Sequence, residues 1–413
     1  MRAAVVAVGD ELLLGDIVNS NAAWLGAELA AVGAAVVHSS MVGDDVGRIV
    51  VALRRALEDA DVVLACGGLG PTVDDLTRSA VAEVAGVPLE RQPALEEALR
   101  ARFAEYGYTS LPDAVMQQAD VPRGATVLDN PVGSAPGLRL ELGDKLLFAM
   151  PGPPHELAAV MSGGVLAELA ARSGTVVVTR TLHCAGLGES GVAEVVERTI
   201  EIPDGVALAY LAGGALVRVR LTTAAPSEPE ADEVLRPLVE RAAEALGDHV
   251  FGRDADTLAA VVVERLRSAG RTVAVAESLT AGLLGATLTE VPGSSAVFRG
   301  GVQVYATDLK VSLAGVPEAV LAEHGAVSPQ TAAALAEGVR DRLGASYGVG
   351  LTGVAGPDPQ EGHPPGTLHV ALAGPSGTRS RSLRVPGDRH RVRLMAVTTA
   401  LDLLRRDLTS GRS

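Results

Sequence analysis

Lysine is nearly missing from this chain: Lys145 and Lys310 are the only two among 35 basic residues, and the other 33 are Arg. Aromatic side chains are also scarce, at 2% of residues, so aliphatic side chains must supply most of the core. Two cysteines, Cys66 and Cys184, are too few for a disulfide framework or a cysteine zinc cluster. No apolar run approaches the ~18 residues of a membrane span. The start, MRAAVVAVGDELLLGD, reads as a buried strand followed by a polar loop and lacks the pattern of a secretory signal. Positive charge is in deficit too, since 35 Lys and Arg face 50 Asp and Glu for a net charge of −15. An acidic chain of this kind disfavours general binding to nucleic acid or to anionic membranes. What is present, 47% apolar and 21% charged residues over 413 positions, describes a globular chain of two or three domains, expected in the cytoplasm.

Strand and helix signals alternate through residues 1–172. AAVVAV (3–8), AAVVHSS (34–40) and DVVLAC (61–66) read as strands. SNAAWLGAELAAVG (20–33) and DDVGRIVVALRRALEDA (44–60) read as helices, the second with acidic residues in its first turn. Such alternation predicts an α/β domain with a mostly parallel sheet, whose ligands sit at the carboxyl ends of the strands. Residues 173–253 form a small α+β module with a hairpin turning at Gly213-Gly214. A third unit, 254–413, opens on the helix TLAAVVVERLRSAG, continues through TVAVAES as strand and turn, and closes on a helix from about Asp388.

Between the third strand and the next helix lies GGLGPTVDDLT. Gly67, Gly68 and Gly70 allow backbone N–H groups to approach a phosphate, and a helix N-terminus adds favourable partial charge. Asp74 and Asp75 can hold a divalent ion through oxygen ligands. An acidic helix start that stabilises the helix without any ligand accounts for the same spacing. The Gly-Lys-Ser/Thr end of a Walker loop is absent.

GDELLLGDIVNSNAAWL, GGLGPTVDDLTRSAV, NPVGSAPG (130–137) and MPGPPHEL (150–157), in that order, resemble the amino-terminal domain of the CinA family (competence/damage-inducible protein A), related to the molybdopterin-binding fold. The resemblance implies a metal-dependent pyrophosphatase acting on ADP-ribose. It carries the ligand-binding loops onto Asn19, Asn21, Gly67, Gly68, Gly70, Pro71, Thr72 and Gly133, with Pro151, Gly152 and Glu156 in the proline turn. Asp74 and Asp75 are the expected metal ligands, with Glu11 or Glu156 as second carboxylates. Leu69 stands where the wider molybdopterin group has Thr, which disfavours a pterin ligand. The middle module resembles the KH-like insert of the same family. Its nearest GXXG candidate, GLGES (186–190), has no basic residue, so a structural spacer or dimer contact is expected in place of direct nucleic-acid binding.

AESLTAG (276–282), VPGSSAVFRGG (291–301), QVYATDLK (303–310), LTGVAGP (351–357), PPGTLHVAL (364–372) and PGDRHRVR (386–393) resemble the carboxy-terminal CinA domain, which occurs alone as nicotinamide-nucleotide amidase. That resemblance implies hydrolysis of the carboxamide of nicotinamide mononucleotide (NMN), without a cofactor, by Ser295 as nucleophile and Lys310 as general base. Ser294 is adjacent, and a plain Gly293-Ser294-Ser295 turn fits the spacing as well. Lysine serves as a base only when burial lowers its pKa, and Arg cannot do so. One of the two lysines therefore falls where the chemistry forbids Arg, whereas Lys145 has no such role. Tyr305 is expected to orient the dyad. Ser278 and Thr280 would contact phosphate or ribose, unless Ser278 is an N-cap. Arg389 would meet the nucleotide phosphate, or be a surface charge at a helix end. Thr352 and Gly353 would line the nicotinamide pocket, and Glu277 would hold Lys310 or a ribose hydroxyl.

The sequence thus predicts a molybdopterin-binding-like parallel-sheet domain, a KH-like α+β module and an α/β carboxy-terminal CinA domain. The expected function is bifunctional hydrolysis of NMN and ADP-ribose by a homodimer without membrane contact, the second reaction using a divalent metal. The alternative is a non-catalytic competence or DNA-damage regulator that only senses ligands.

Overall fold

Apolar runs such as AAVVAV and VVLAC cannot face water on either side, so they become the interior of a sheet. The computed structural model describes residues 1–105, 107, 108 and 110–410. They fold as two compact units, 1–178 with 223–233, and 179–222 with the chain from 234 onward.

The first unit holds a six-stranded sheet in the order Ala35–Val42, Arg2–Val8, Val62–Cys66, Lys145–Met150, Gly137–Leu142, Thr126–Leu128. The first four strands are parallel, and the last two turn back antiparallel. Alternate residues of one strand feed opposite cores, as the pleat requires. Ala4, Val6 and Val8 pack with Ile49, Leu53 and Val81, while Ala3, Val5 and Ala7 pack with Leu25, Leu29 and Leu157. Helix Val46–Asp59 is capped at its start by Asp45, which accepts from Arg48 N at 2.9 Å. Its other end is held by Lys145, whose Nζ donates to the carbonyls of Leu57 and Ala60. A compact ammonium satisfies those last carbonyls, so Lys145 has a structural role that its sequence context did not reveal.

Two expectations change here. The helix after the glycine loop begins only at Thr77, so Asp74 and Asp75 lie in the preceding turn and are not first-turn helix acids. The hairpin of the middle module turns at Gly214-Ala215, one residue later than expected, between Val206–Gly213 and Leu216–Ala225. Both turn residues have left-handed backbone (φ 58 and 70), the geometry that matches strand twist in a two-residue hairpin.

The middle module's sheet runs Val206–Gly213, Leu216–Ala225, Val176–Ala185, Val250–Arg253. The carboxy-terminal sheet runs Phe298–Gln303, Val273–Glu277, Tyr347–Gly353, Thr367–Gly374, Gly377–Arg384. Its first three strands are parallel and the rest antiparallel. Helix Pro329–Arg342 lies so close on this sheet that a Cβ at Gly348 or Gly350 would run into the carbonyls of Ala336 and Ala332. Ala185 and Phe251 of the middle module share one core with Val262, Val349 and Leu401. Arg405 and Asp402, each 3% exposed, pair at 2.7 Å, and Arg405 also donates to Asp248 O at 2.6 Å. Among the described residues no helix is long and apolar enough to cross a membrane.

Removing one partner of such a buried pair leaves an uncompensated charge. Asp402→Ala should therefore cost about 3–5 kcal/mol in urea unfolding followed by circular dichroism. Replacing both partners by Leu and Met should cost much less, and equal losses would refute this account.

Candidate functional site

In the second unit three parallel strands end side by side, with polar residues at or just past their ends. Ser278 follows Val273–Glu277, Tyr305 comes two residues after Phe298–Gln303, and Thr352 and Gly353 finish Tyr347–Gly353. The short helix Thr307–Ser312 then carries Lys310 back to this edge. Lys310 is 2% exposed, and its Nζ donates to Val304 O at 2.8 Å and to Ser278 Oγ at 3.2 Å. Burial pushes its pKa below the ordinary lysine value, against the opposing pull of Glu361 and Asp308. The cavity here measures about 140 Å³ and is lined by Ser278, Tyr305, Lys310, Thr352, Gly353 and Arg389 among others. Arg389 stands exposed beside it, donating to Tyr305 Oη at 2.7 Å and to Gly356 O at 2.9 Å. Thr352 is buried and donates to Ala326 O at 2.6 Å.

Ser295 is not brought to Lys310. It is exposed on the 3-10 turn Ser294–Ala296 and does not line the cavity, while its neighbour Ser294 is buried. The reason is topological. Val297 O accepts from Val273 N, so this turn lies at the amino edge of the sheet. Five residues of strand, roughly 16 Å at ~3.3 Å each, separate that level from Ser278. Ser278 is the hydroxyl beside the lysine, and it is not an N-cap, because the next helix spans Leu283–Thr289 with Gly282 before it.

Glu277 binds neither Lys310 nor the cavity. Its carboxylate accepts from the backbone N–H of Gly282, Leu284 and Gly285 at 3.1, 3.0 and 2.8 Å, which fixes the turn carrying Ser278. Thr280 is fully buried behind that turn with its hydroxyl unpartnered, and its carbonyl accepts from Arg393 at 2.7 Å. Asp358 and Gln360 also line the cavity. Nothing in the aperiodic stretch 354–366 signalled them.

The first unit repeats the arrangement with other chemistry. Gly9, Asp44, Gly67 and Pro151 follow the carboxyl ends of its four parallel strands and border a cavity of about 510 Å³. Asn19, Asn21, Gly68, Gly70, Pro71, Thr72, Asp74, Asp75, Gly152 and Glu156 line it as well. A Cβ at Gly67 would strike Val8 O, and the left-handed φ of 105 there favours glycine. The loop is gripped from below by the buried Arg78, which donates to the carbonyls of Leu69 and Gly70. Nothing in the sequence around Arg78 signals this grip. Asn21 donates to Gly152 O at 2.7 Å, while its buried Oδ1 has no partner. Asn19 is the N-cap of helix Ser20–Ala31, accepting from Ala22 N at 3.0 Å.

One expectation about this cavity is corrected, and three of its carboxylates already accept hydrogen bonds. Gly133 does not line it; its N–H is taken by Asn130 at 3.0 Å, and Ser134 and Ala135 face the cavity. Glu156 accepts from Asn130 Nδ2 at 2.7 Å, so that oxygen is already committed. Asp75 accepts from Thr72 N at 2.7 Å, and Asp74 receives the Thr72 hydroxyl, which holds its pKa down. The missed carboxylate is Asp44, whose pKa is raised by burial and then by the charges of Asp10, Glu11 and Asp74. Among the described residues no group of three or more His, Cys, Asp or Glu is arranged to hold a metal ion. Isolated carboxylates suit instead a magnesium-like ion that keeps its waters and takes its other ligands from a bound phosphate.

Three family descriptions match the chain: Probable molybdopterin binding domain over 4–171, Damage-inducible protein CinA KH domain over 179–252, and CinA C-terminal domain over 255–408. A CinA-like protein of Frankia casuarinae is 51% identical over 99% of this chain and 96% of its own length. One from Myxococcus xanthus is 42% identical over 100% and 99%. A solved protein described as CinA with unknown function, from Thermoplasma acidophilum, is 35% identical over 41% of this chain and 97% of its own, with a TM-score of 0.39.

Because the chain has two lysines, lysine labelled with ¹³C at Cε should give two side-chain signals, and Lys310→Arg identifies one of them. That signal should titrate below the ordinary lysine pKa of 10.5. A midpoint at or above it would show that the amine is not desolvated.

Proposed function

The chain belongs to the CinA family, and from that premise and its two cavities we propose a bifunctional hydrolase of NAD-derived nucleotides. The observation that carries the proposal is the buried Lys310 amine 3.2 Å from Ser278 Oγ. A lysine out of water gives up its proton more easily, and a hydroxyl beside it becomes a nucleophile. Ser278 Oγ attacks the carboxamide carbon of NMN while neutral Lys310 takes the hydroxyl proton. Lys310 then returns that proton to the departing nitrogen, which leaves as ammonia. Water, deprotonated by the same amine, cleaves the acyl-serine to nicotinate mononucleotide and restores Ser278. A cavity of about 140 Å³ accepts a ring and not a whole nucleotide, since drug-sized pockets start near ~300 Å³. The ribose phosphate therefore extends outward to Arg389 and Tyr305. Glu277 acts through the turn it fixes.

In the first unit the glycine loop and the unpartnered Asn21 Oδ1 support binding of a diphosphate such as ADP-ribose. A divalent ion would sit against it on a single carboxylate such as Asp74 or Asp44, its other ligands being phosphate oxygens and water. When bound, such an ion neutralises phosphate charge and activates water. Arg78 and Gly67 shape the loop that receives the diphosphate. The match to a molybdopterin-binding description favours one second reading, a pterin ligand, which would appear as co-purified pterin fluorescence.

Product assays on NMN and ADP-ribose, each with and without chelator, test both halves. Chelation should abolish ADP-ribose cleavage and spare NMN deamidation, and equal loss of both would sink the division of labour. Ser278→Ala and Lys310→Arg should each lower kcat by about 10²–10⁴-fold, and the double variant little further. Ser295→Ala should retain most activity. The sign with pH is set by the amine: it must be neutral to act, so kcat/KM should rise with pH through a midpoint below 10.5. A wild-type-like Lys310→Arg enzyme would refute the dyad and leave ligand sensing as the role of this domain.

A further inference from the structure

A cavity of about 710 Å³ in the second unit belongs to neither proposed active site, and it shares no lining residue with the amidase cavity. One wall comes from the middle module, at the turn Gly186–Glu189 and the hairpin tip 212–217. The other comes from strand Gly377–Arg384 and helix Arg389–Ser410. These walls are tied together: Thr398 Oγ1 donates to Gly214 O at 3.1 Å, and Ala185 and Phe251 share the core of the carboxy-terminal sheet. The cavity is thus part of a packed unit and not a gap between loosely joined pieces.

Its lining pairs apolar surface with positive charge. Leu187, Leu216, Leu383 and Met395 supply the apolar part. Arg381, Arg384 and Arg391 supply guanidinium groups, and none of the three has an ion-pair partner among the described residues. The contrast lies on the same strand, where Arg379 pairs with Asp407 at 3.3 Å. Of the three acids around the cavity, Asp402 is bound to Arg405 and Arg406, and Asp388 caps the helix by accepting from Arg391 N at 2.8 Å, so Asp388 and Glu189 face three arginines. A chain with a net charge of −15 has acids to spare, yet here it leaves three arginines unpaired around one concave space.

From this we infer a third binding site, for a phosphorylated metabolite of nucleotide size. Guanidinium forks match phosphate oxygens, and the apolar wall suits a ring. The volume falls within the ~300–1,000 Å³ of small-molecule pockets. The inference does not depend on either hydrolytic activity.

The test is calorimetric titration of the full chain with AMP, with adenosine and with pyrophosphate, comparing wild type with two variants. Arg381→Ser with Arg384→Ser removes charge from exposed positions on an edge strand, and Ala212→Trp fills the cavity from the hairpin tip. The wild type should bind one more AMP per chain than either variant. Adenosine should bind that site at least tenfold more weakly than AMP, because it lacks the phosphate. Thermal melts should match in all three proteins, which separates lost binding from lost folding. The inference is overturned if AMP stoichiometry is the same in wild type and both variants. It is overturned equally if neither AMP nor pyrophosphate binds at millimolar concentration, or if adenosine binds the extra site as tightly as AMP.

Discussion

In a parallel sheet all strands end on one edge, and there the chain must leave the ladder with backbone N–H and C=O groups in need of new partners. Both units of this protein are organised by that constraint. In the first, Gly9, Asp44, Gly67 and Pro151 follow four strand ends and open a cavity lined by glycine and proline turns and by polar side chains. In the second, Ser278, Tyr305 and Thr352 converge from stretches separated by tens of residues. The loops themselves are then held by single charged side chains acting on backbone. Arg78 binds two carbonyls of the glycine loop, and Glu277 binds three amides of the serine turn. The sheet determines where a site forms, and these buried charges determine how rigid it is.

The two cavities shift the chemistry of their residues in opposite senses. Around Lys310 the dominant effect is loss of water, which weakens the hold of an amine on its proton. Around Asp44 burial acts first, and the like charges of Asp10, Glu11 and Asp74 add to it. One site therefore makes a base available without outside help. The other gathers carboxylates whose mutual repulsion is relieved by protonation of Asp44 or by a bound cation. In both, burial favours the uncharged form, which makes Lys310 easier and Asp44 harder to deprotonate.

Much of the fold was legible because aliphatic runs have few places to go. The strands Arg2–Val8 and Val62–Cys66 and the helices Ser20–Ala31 and Val46–Asp59 follow their apolar patterns closely. Strand Gly377–Arg384 gave no such signal, because an edge strand of Ser, Thr and Arg carries no buried face. At the sites, residue types were readable but partners were not. Lys310 stood out by composition alone, yet the serine it meets lies 32 positions away across a strand crossover, and the nearer Ser295 lies on the wrong edge of the sheet. Asp44 escaped notice because only the neighbouring strand end brings it beside Asp10 and Glu11. The motif around Gly133 points to a ligand contact, whereas its amide closes an internal turn on Asn130.

The placement of the two lysines leaves the surface of this protein almost without side-chain amines. Lys310 is buried and Lys145 is half-buried with its ammonium on helix carbonyls, so among the described residues every exposed Lys or Arg side chain is a guanidinium. Acetylation, the common way of erasing positive charge after synthesis, finds no exposed lysine to act on. Arginine keeps its charge under methylation and at any pH a cell reaches. The net negative balance of this chain is thus written into its sequence, with no exposed lysine on a described residue through which acyl donors could shift it.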